Sequence, residues 1–167
     1  MTSRIQTVLV YLVGVVSLAA AFSMARAFWG VFVSYFFWPG ARGVSGLVAH
    51  SAIAAPVGAV PFGFLFGLSV PNCTPRHAAY FSASSAALLL AFVAWFGLLS
   101  GPTWWVTPLD AVLFVCLFAL SATVARRFIP SLSWRPRIVA TVAFFALAAL
   151  FVFGPALFVQ FWYVPKV

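Results

Sequence analysis

The chain has 167 residues, of which 65% are hydrophobic, 19% aromatic and only 6% charged, against about 25% charged in an ordinary soluble domain. So few charges cannot cover the surface of a water-soluble fold, whereas hydrocarbon asks for no polar exterior. The net charge of +8 is spread over the ends of apolar runs, which argues against nucleic acid and fits charges that set topology and meet anionic lipid.

Inside lipid every backbone amide needs an internal partner, which leaves helix bundles or closed barrels. A barrel strand alternates polar and apolar residues, but the runs here are continuously apolar over lengths that span a bilayer as helix. The fold expected is therefore all-α: a polytopic transmembrane helix bundle of about five spans, forming one integral membrane domain over 1–167.

The first span is expected at 5–27, followed by an aromatic extension at 28–38 that carries Phe28, Trp29, Phe32, Tyr35 and Phe36. That extension is a candidate face for a protein partner. Arg4, the apolar stretch 5–21 and Ala25-Arg26-Ala27 imitate a cleaved signal peptide. The apolar run continues past this point and Arg26 would sit inside the cleavage site, so a retained span is expected. Arg26 is costly within the bilayer unless it snorkels or pairs.

The second span, 44–70, contains Pro56 and Pro61 with Gly58, Gly63 and Gly67 beside them. Each proline removes a helical hydrogen bond and crowds the preceding turn, so this helix should be broken or kinked there. Unwound backbone at membrane depth offers free carbonyls and amides to a solute, which makes Pro56, Gly58, Pro61 and Gly63 a candidate site. The simpler reading is a packing kink. Gly63 and Gly67 also form a G-x-x-x-G face for close helix approach.

The turn 71–77 is the most polar one between spans. Its Cys73 reads as an interfacial cysteine. The third span, 78–99, carries the small residues Ser82, Ser84, Ser85 and Ala86, and ends at Ser100-Gly101-Pro102. The fourth, 108–125, opens with Pro108 and Asp110, the chain's one acidic residue. In the simpler reading Asp110 satisfies amides of the helix's first turn. A polar stretch at 126–137 precedes the fifth span, 138–164.

Five spans with a cytoplasmic N-terminus put Arg4, Arg76, Arg126, Arg127, Arg135 and Arg137 inside, and Arg42, Lys166 and the C-terminus outside. A four-span rival, with 44–70 as a re-entrant hairpin, ties on charge, but the length of that run favours crossing. Arg26, Arg42, His50 and Asp110 then fall towards the outer side, as a candidate polar cluster in which Arg26 and Asp110 would be the pair. The simpler expectation is that each charge reaches the head groups separately. His50 and His77 fall on opposite sides and cannot share a metal ion. Arginine far outnumbers lysine, as in GC-rich bacterial genomes, so a bacterial inner membrane is the expected location.

No P-loop, Rossmann glycine signature, H-E-x-x-H or C-x-x-C is present. A lone acid makes neither a carboxylate pair for hydrolysis nor a carboxylate metal cage. Five helices in this length, rich in tryptophan, resemble the translocator-protein family in outline, but that family's tryptophan–proline loop signature is absent and none of its residues is carried over. The expected role is a small non-enzymatic membrane subunit or accessory protein, surrounded by lipid and packed against a larger membrane protein or a second copy. The alternative is a small transporter or solute-binding subunit for an anionic solute, with its site at the second helix. A lipid-modifying enzyme comes last. No cofactor is legible.

Overall fold

The computed structural model describes residues 2–26, 43–95, 106–129 and 132–162, with side chains for 8–26, 52–95, 108–129 and 132–157. Five α-helices account for nearly all of them: α1 (Thr2–Met24), α2 (Gly43–Ser69), α3 (Pro75–Trp95), α4 (Val106–Phe128) and α5 (Trp134–Trp162). The described residues form no strand. Four helices contain stretches long and apolar enough to cross a bilayer: Ala52–Ser69, Pro75–Trp95, Pro108–Phe128 and Trp134–Leu157. The apolar stretch in α1, Val8–Met24, is shorter. The whole of α1 still measures roughly 35 Å at 1.5 Å per residue, enough to accompany the others across. The protein is thus an integral membrane helix bundle.

The helices outrun the apolar runs. At its C-terminal end α4 takes in Arg126 and Arg127, and α5 begins at Trp134, before Arg135 and Arg137. Continuing the helix into the interface keeps backbone groups paired where water is scarce, and the arginines in the last turn of α4 complement its dipole. Exposed tryptophans mark two ends, Trp95 closing α3 and Trp134 opening α5, the depth at which amphipathic rings settle. Arg135 lies 5.6 Å from the Trp134 ring, within cation–π range.

Side-chain contacts fix the directions of the helices. Tyr11 of α1 meets Phe81 of α3 edge-on, and Phe66 of α2 stacks on Phe81 at 4.4 Å between ring centres. Phe22 of α1 stacks on Phe114 of α4 at 4.1 Å. The beginnings of α1, α3 and α5 therefore lie at one end with the close of α2, while the beginning of α4 lies at the other with the close of α1. Odd and even helices alternate in direction, as successive crossings require.

The core is a column of phenylalanines. Phe62 of α2 meets Phe144 and Phe151 of α5, both edge-on, and Phe118 of α4 lies against Phe66 and Phe81. Phe22, Phe62, Phe114 and Phe118 are fully buried. Small residues fill the space between them: Ala59, Ala78, Ala122 and Ala125. On α3 the buried set Ala78, Phe81, Ser82, Ser85, Ala86 and Leu89 recurs every three or four residues, which marks the face turned to the bundle. Ser82 and Ser85 satisfy their hydroxyls within α3, Ser82 on the carbonyls of Ala78 and Ala79 and Ser85 on that of Phe81.

The turn after α2 has a local cause. Asn72 adopts φ 52°, a left-handed conformation that asparagine tolerates. Thr74 then caps α3. Its hydroxyl accepts from the His77 amide at 3.3 Å, its own amide donates to His77 Nδ1 at 3.5 Å, and Pro75 takes the first helical position. The pattern is a capping box with histidine in the place of glutamate.

Candidate functional site

Three places bring polar chemistry into the bundle. The first joins α1 to α4. The last turn of α1 widens to a π-type turn at Ala25 and Arg26, and Arg26 Nε stands 2.8 Å from Asp110 Oδ2. The Asp110 side chain is 2% exposed and that of Arg26 26%. Asp110 does not lie in the first turn of α4, which starts at Val106 and carries no acid there. It sits a turn deeper and faces Arg26, so neither the first-turn capping reading nor the expectation of separately snorkelling charges describes these two residues. Removing a buried charge from water is costly, and a partner at hydrogen-bonding distance offsets that cost. The other members of the expected polar cluster, Arg42 and the His50 side chain, lie outside the described residues. So do Phe28, Trp29, Phe32, Tyr35 and Phe36, the expected partner face.

The second place is the middle of α2. The helix runs without interruption from Gly43 to Ser69 with Pro56 and Pro61 inside it. Its backbone is therefore not unwound at membrane depth. The glycines explain how the helix is used. A Cβ on Gly63 would fall on the carbonyl oxygen of Phe118 and come within 3.0 Å of its Cα. One on Gly67 would meet the carbonyl oxygen of Ala122 in the same way. Backbone touches backbone along this seam, so the G-x-x-x-G face is spent inside the bundle, on α4. Gly58 faces Ala25, with Cβ room of 3.2 Å, and lies near Phe22 and Phe114. Next to Pro61, Ser121 of α4 donates a 2.6 Å hydrogen bond to the Val60 carbonyl, which ties the two helices together across the seam. Of the expected α2 site, Gly58 and Gly63 face neighbouring helices and not a cavity.

The third place was not anticipated from the sequence. At the end where α1, α3 and α5 begin, a cleft of about 700 Å³ opens between four helices. Tyr11, Gly14, Phe66, Phe81, Thr141 and Phe144 line it, with Ser69 and His77 adding polar atoms. Its hydroxyls are oriented by internal bonds. Ser69 donates to the Leu65 carbonyl and Thr141 to that of Arg137. Ser84 donates to the Tyr80 carbonyl, which leaves Tyr11 to donate to Ser84 across 3.2 Å. Gly14 lies in the wall of the cleft against the edge of the Phe81 ring, where a Cβ would stand 3.0 Å from Cζ.

Beside this end lies Cys73, a free thiol. Burial pushes its pKa above the ordinary thiol range, and the positive charge of Arg126 works in the opposite direction. Among the described residues no three of His, Cys, Asp or Glu gather as metal ligands. Comparison with protein-family models, with curated proteins and with solved structures yields no match.

Proposed function

We propose that this integral membrane protein serves as a small non-enzymatic subunit or accessory protein, packing in the bilayer with a larger partner or with a second copy of itself. The observation that carries the reading is the seam between α2 and α4. Gly63, of the candidate solute site, and Gly67 beyond it are closed against the backbone of Phe118 and Ala122. A helix pair in backbone contact has little room to open around a solute, and this weighs against a transporter built on Pro56 and Pro61. The outward faces support association instead. Phe92 and Trp95 on α3 and Val139, Val142 and Phe153 on α5 are exposed, and helices pack through such surfaces in lipid by shape and dispersion.

The proposed setting is a bacterial inner membrane with the N-terminus in the cytoplasm, because this places the arginine-bearing ends of α4 and α5 inside. A membrane-impermeant thiol reagent should then reach Cys73 only from the cytoplasmic face.

The role itself is tested by gentle solubilisation from native membranes, light scattering, and mass spectrometry of what accompanies the chain. The expected result is an assembly heavier than the 18.0 kDa monomer, with a defined protein stoichiometry. A bare monomer in every mild detergent, together with solute-driven flux in reconstituted vesicles, would overturn the reading.

A further inference from the structure

We infer that the cleft between α1, α2, α3 and α5 is a binding site for one anionic phospholipid, with an acyl chain between the phenylalanines and the headgroup phosphate on Arg76 and Arg137, which neighbour the lining residues His77 and Thr141 along α3 and α5. The inference stands apart from the subunit reading, since a lipid can occupy the cleft in a monomer or an assembly.

The lining suits a chain. Phe66, Phe81, Phe144 and Phe145 present rings, and Gly14 adds no side chain to the wall where it lies against the edge of Phe81. A volume of about 700 Å³ lies within the range of roughly 300–1,000 Å³ that holds a ligand of small-molecule size. The polar atoms sit at the ends of the helices: Ser69 in the last turn of α2, His77 in the first turn of α3, and Thr141 in the second turn of α5. A chain entering from the headgroup side would pass them and reach the rings.

The charge balance selects an anion. Arg76 adjoins His77, and Arg137 lies one helical turn before Thr141 and gives it a carbonyl. The guanidinium of Arg126 is near enough to act on Cys73 in the adjoining turn. Arg126 Nη1 and Arg137 Nε are buried with no hydrogen-bond partner among the described residues. The chain's single acidic side chain, Asp110, is held at the opposite end by Arg26. No side-chain carboxylate is therefore available to the arginines here, and the counter-charge has to come from outside the chain. Basic pockets between membrane helices on the cytoplasmic side take anionic head groups for this reason. His77 suits the same headgroup. Its Nδ1 accepts from the Thr74 amide, so in the neutral ring the proton sits on Nε2, which can donate to a phosphate oxygen.

The test uses the full chain in detergent, titrated with phosphatidylglycerol or phosphatidylcholine and read by native mass spectrometry. The wild type should hold one phosphatidylglycerol in preference to phosphatidylcholine. Arg76→Gln with Arg137→Gln should weaken phosphatidylglycerol about thirtyfold and remove the preference. Gly14→Leu, which fills the cleft, should abolish retention of either lipid, while Gly14→Ala, whose added methyl meets only the edge of a movable ring, should keep it. If Gly14→Leu does not fold, Val10→Trp at the exposed rim asks the same question. Excess inorganic phosphate should leave the bound lipid in place. Equal affinity for the two lipids, unchanged binding in the cleft-filling variants, or displacement by phosphate alone would each overturn the assignment.

Discussion

Arg26 and Asp110 stand 2.8 Å apart with the carboxylate almost fully enclosed, so the close of α1 is tied to the opening of α4 across 84 positions of sequence. Breaking a buried pair from one side leaves the other charge unsupported. Arg26→Gln or Asp110→Asn alone should each cost about 3–5 kcal/mol. The double variant should cost clearly less than the sum, because it removes both charges. Thermal unfolding of the four proteins in one detergent gives the coupling directly.

Gly63 and Gly67 allow no Cβ against α4, whereas Gly58 has 3.2 Å to the Ala25 methyl. Gly63→Ala and Gly67→Ala should therefore force the two helices apart and destabilise by about 1–3 kcal/mol each. Gly58→Ala should cost well under half as much, since only side chains have to shift. Ranking the three unfolding midpoints checks this, and similar values for all three would contradict the backbone-contact seam.

Ser121→Ala removes a hydrogen bond that crosses from α4 to α2. The expected loss is about 0.6 kcal/mol, with about 1.7 as a ceiling for such bonds in membrane proteins. Thr123→Val offers a comparison, because the 2.7 Å bond of its hydroxyl to the Ala119 carbonyl lies within α4. The second substitution should be nearly silent in the same unfolding assay.

Cys73 gives a pH test. Burial raises its pKa, so the neutral thiol persists at a pH where an ordinary cysteine is already part thiolate, and only the thiolate is nucleophilic. In a Cys116→Ser background, alkylation of Cys73 should lag behind a free cysteine standard and catch up only at higher pH. Arg126 lowers the same pKa, so Arg126→Gln should slow labelling further at fixed pH. Faster labelling after that change would contradict the assigned geometry.

Much of this architecture was legible because hydrocarbon imposes a simple rule on sequence. The five helices follow the apolar runs, and their alternation placed Arg26 and Asp110 at one end, where they meet. The pairing itself was the less favoured outcome, since sequence gives depth but not the azimuth of each side chain. Gly63 and Gly67 announced a close approach without naming the partner: α4 meets them with the backbone of Phe118 and Ala122, and carbonyls carry no sequence mark. Pro56 and Pro61 suggested an unwound segment. The helix continues through both because the bilayer penalises unpaired backbone, and Ser121, unnoticed in the sequence, bonds the Val60 carbonyl from α4. The cleft at Tyr11 and Phe81 needed four helices to exist, so no single stretch could signal it.

The seam between α2 and α4 also orders the events of synthesis. Gly63 leaves the ribosome some fifty residues before Phe118, which at ~5–20 residues per second is a wait of roughly 3–10 s. During that interval α3 must be laid into the membrane while the glycine groove of α2 faces lipid or the insertion machinery. Assembly of this small protein therefore has a built-in delay, and a helix from another polypeptide that matched the groove would have those seconds in which to compete with α4 for it.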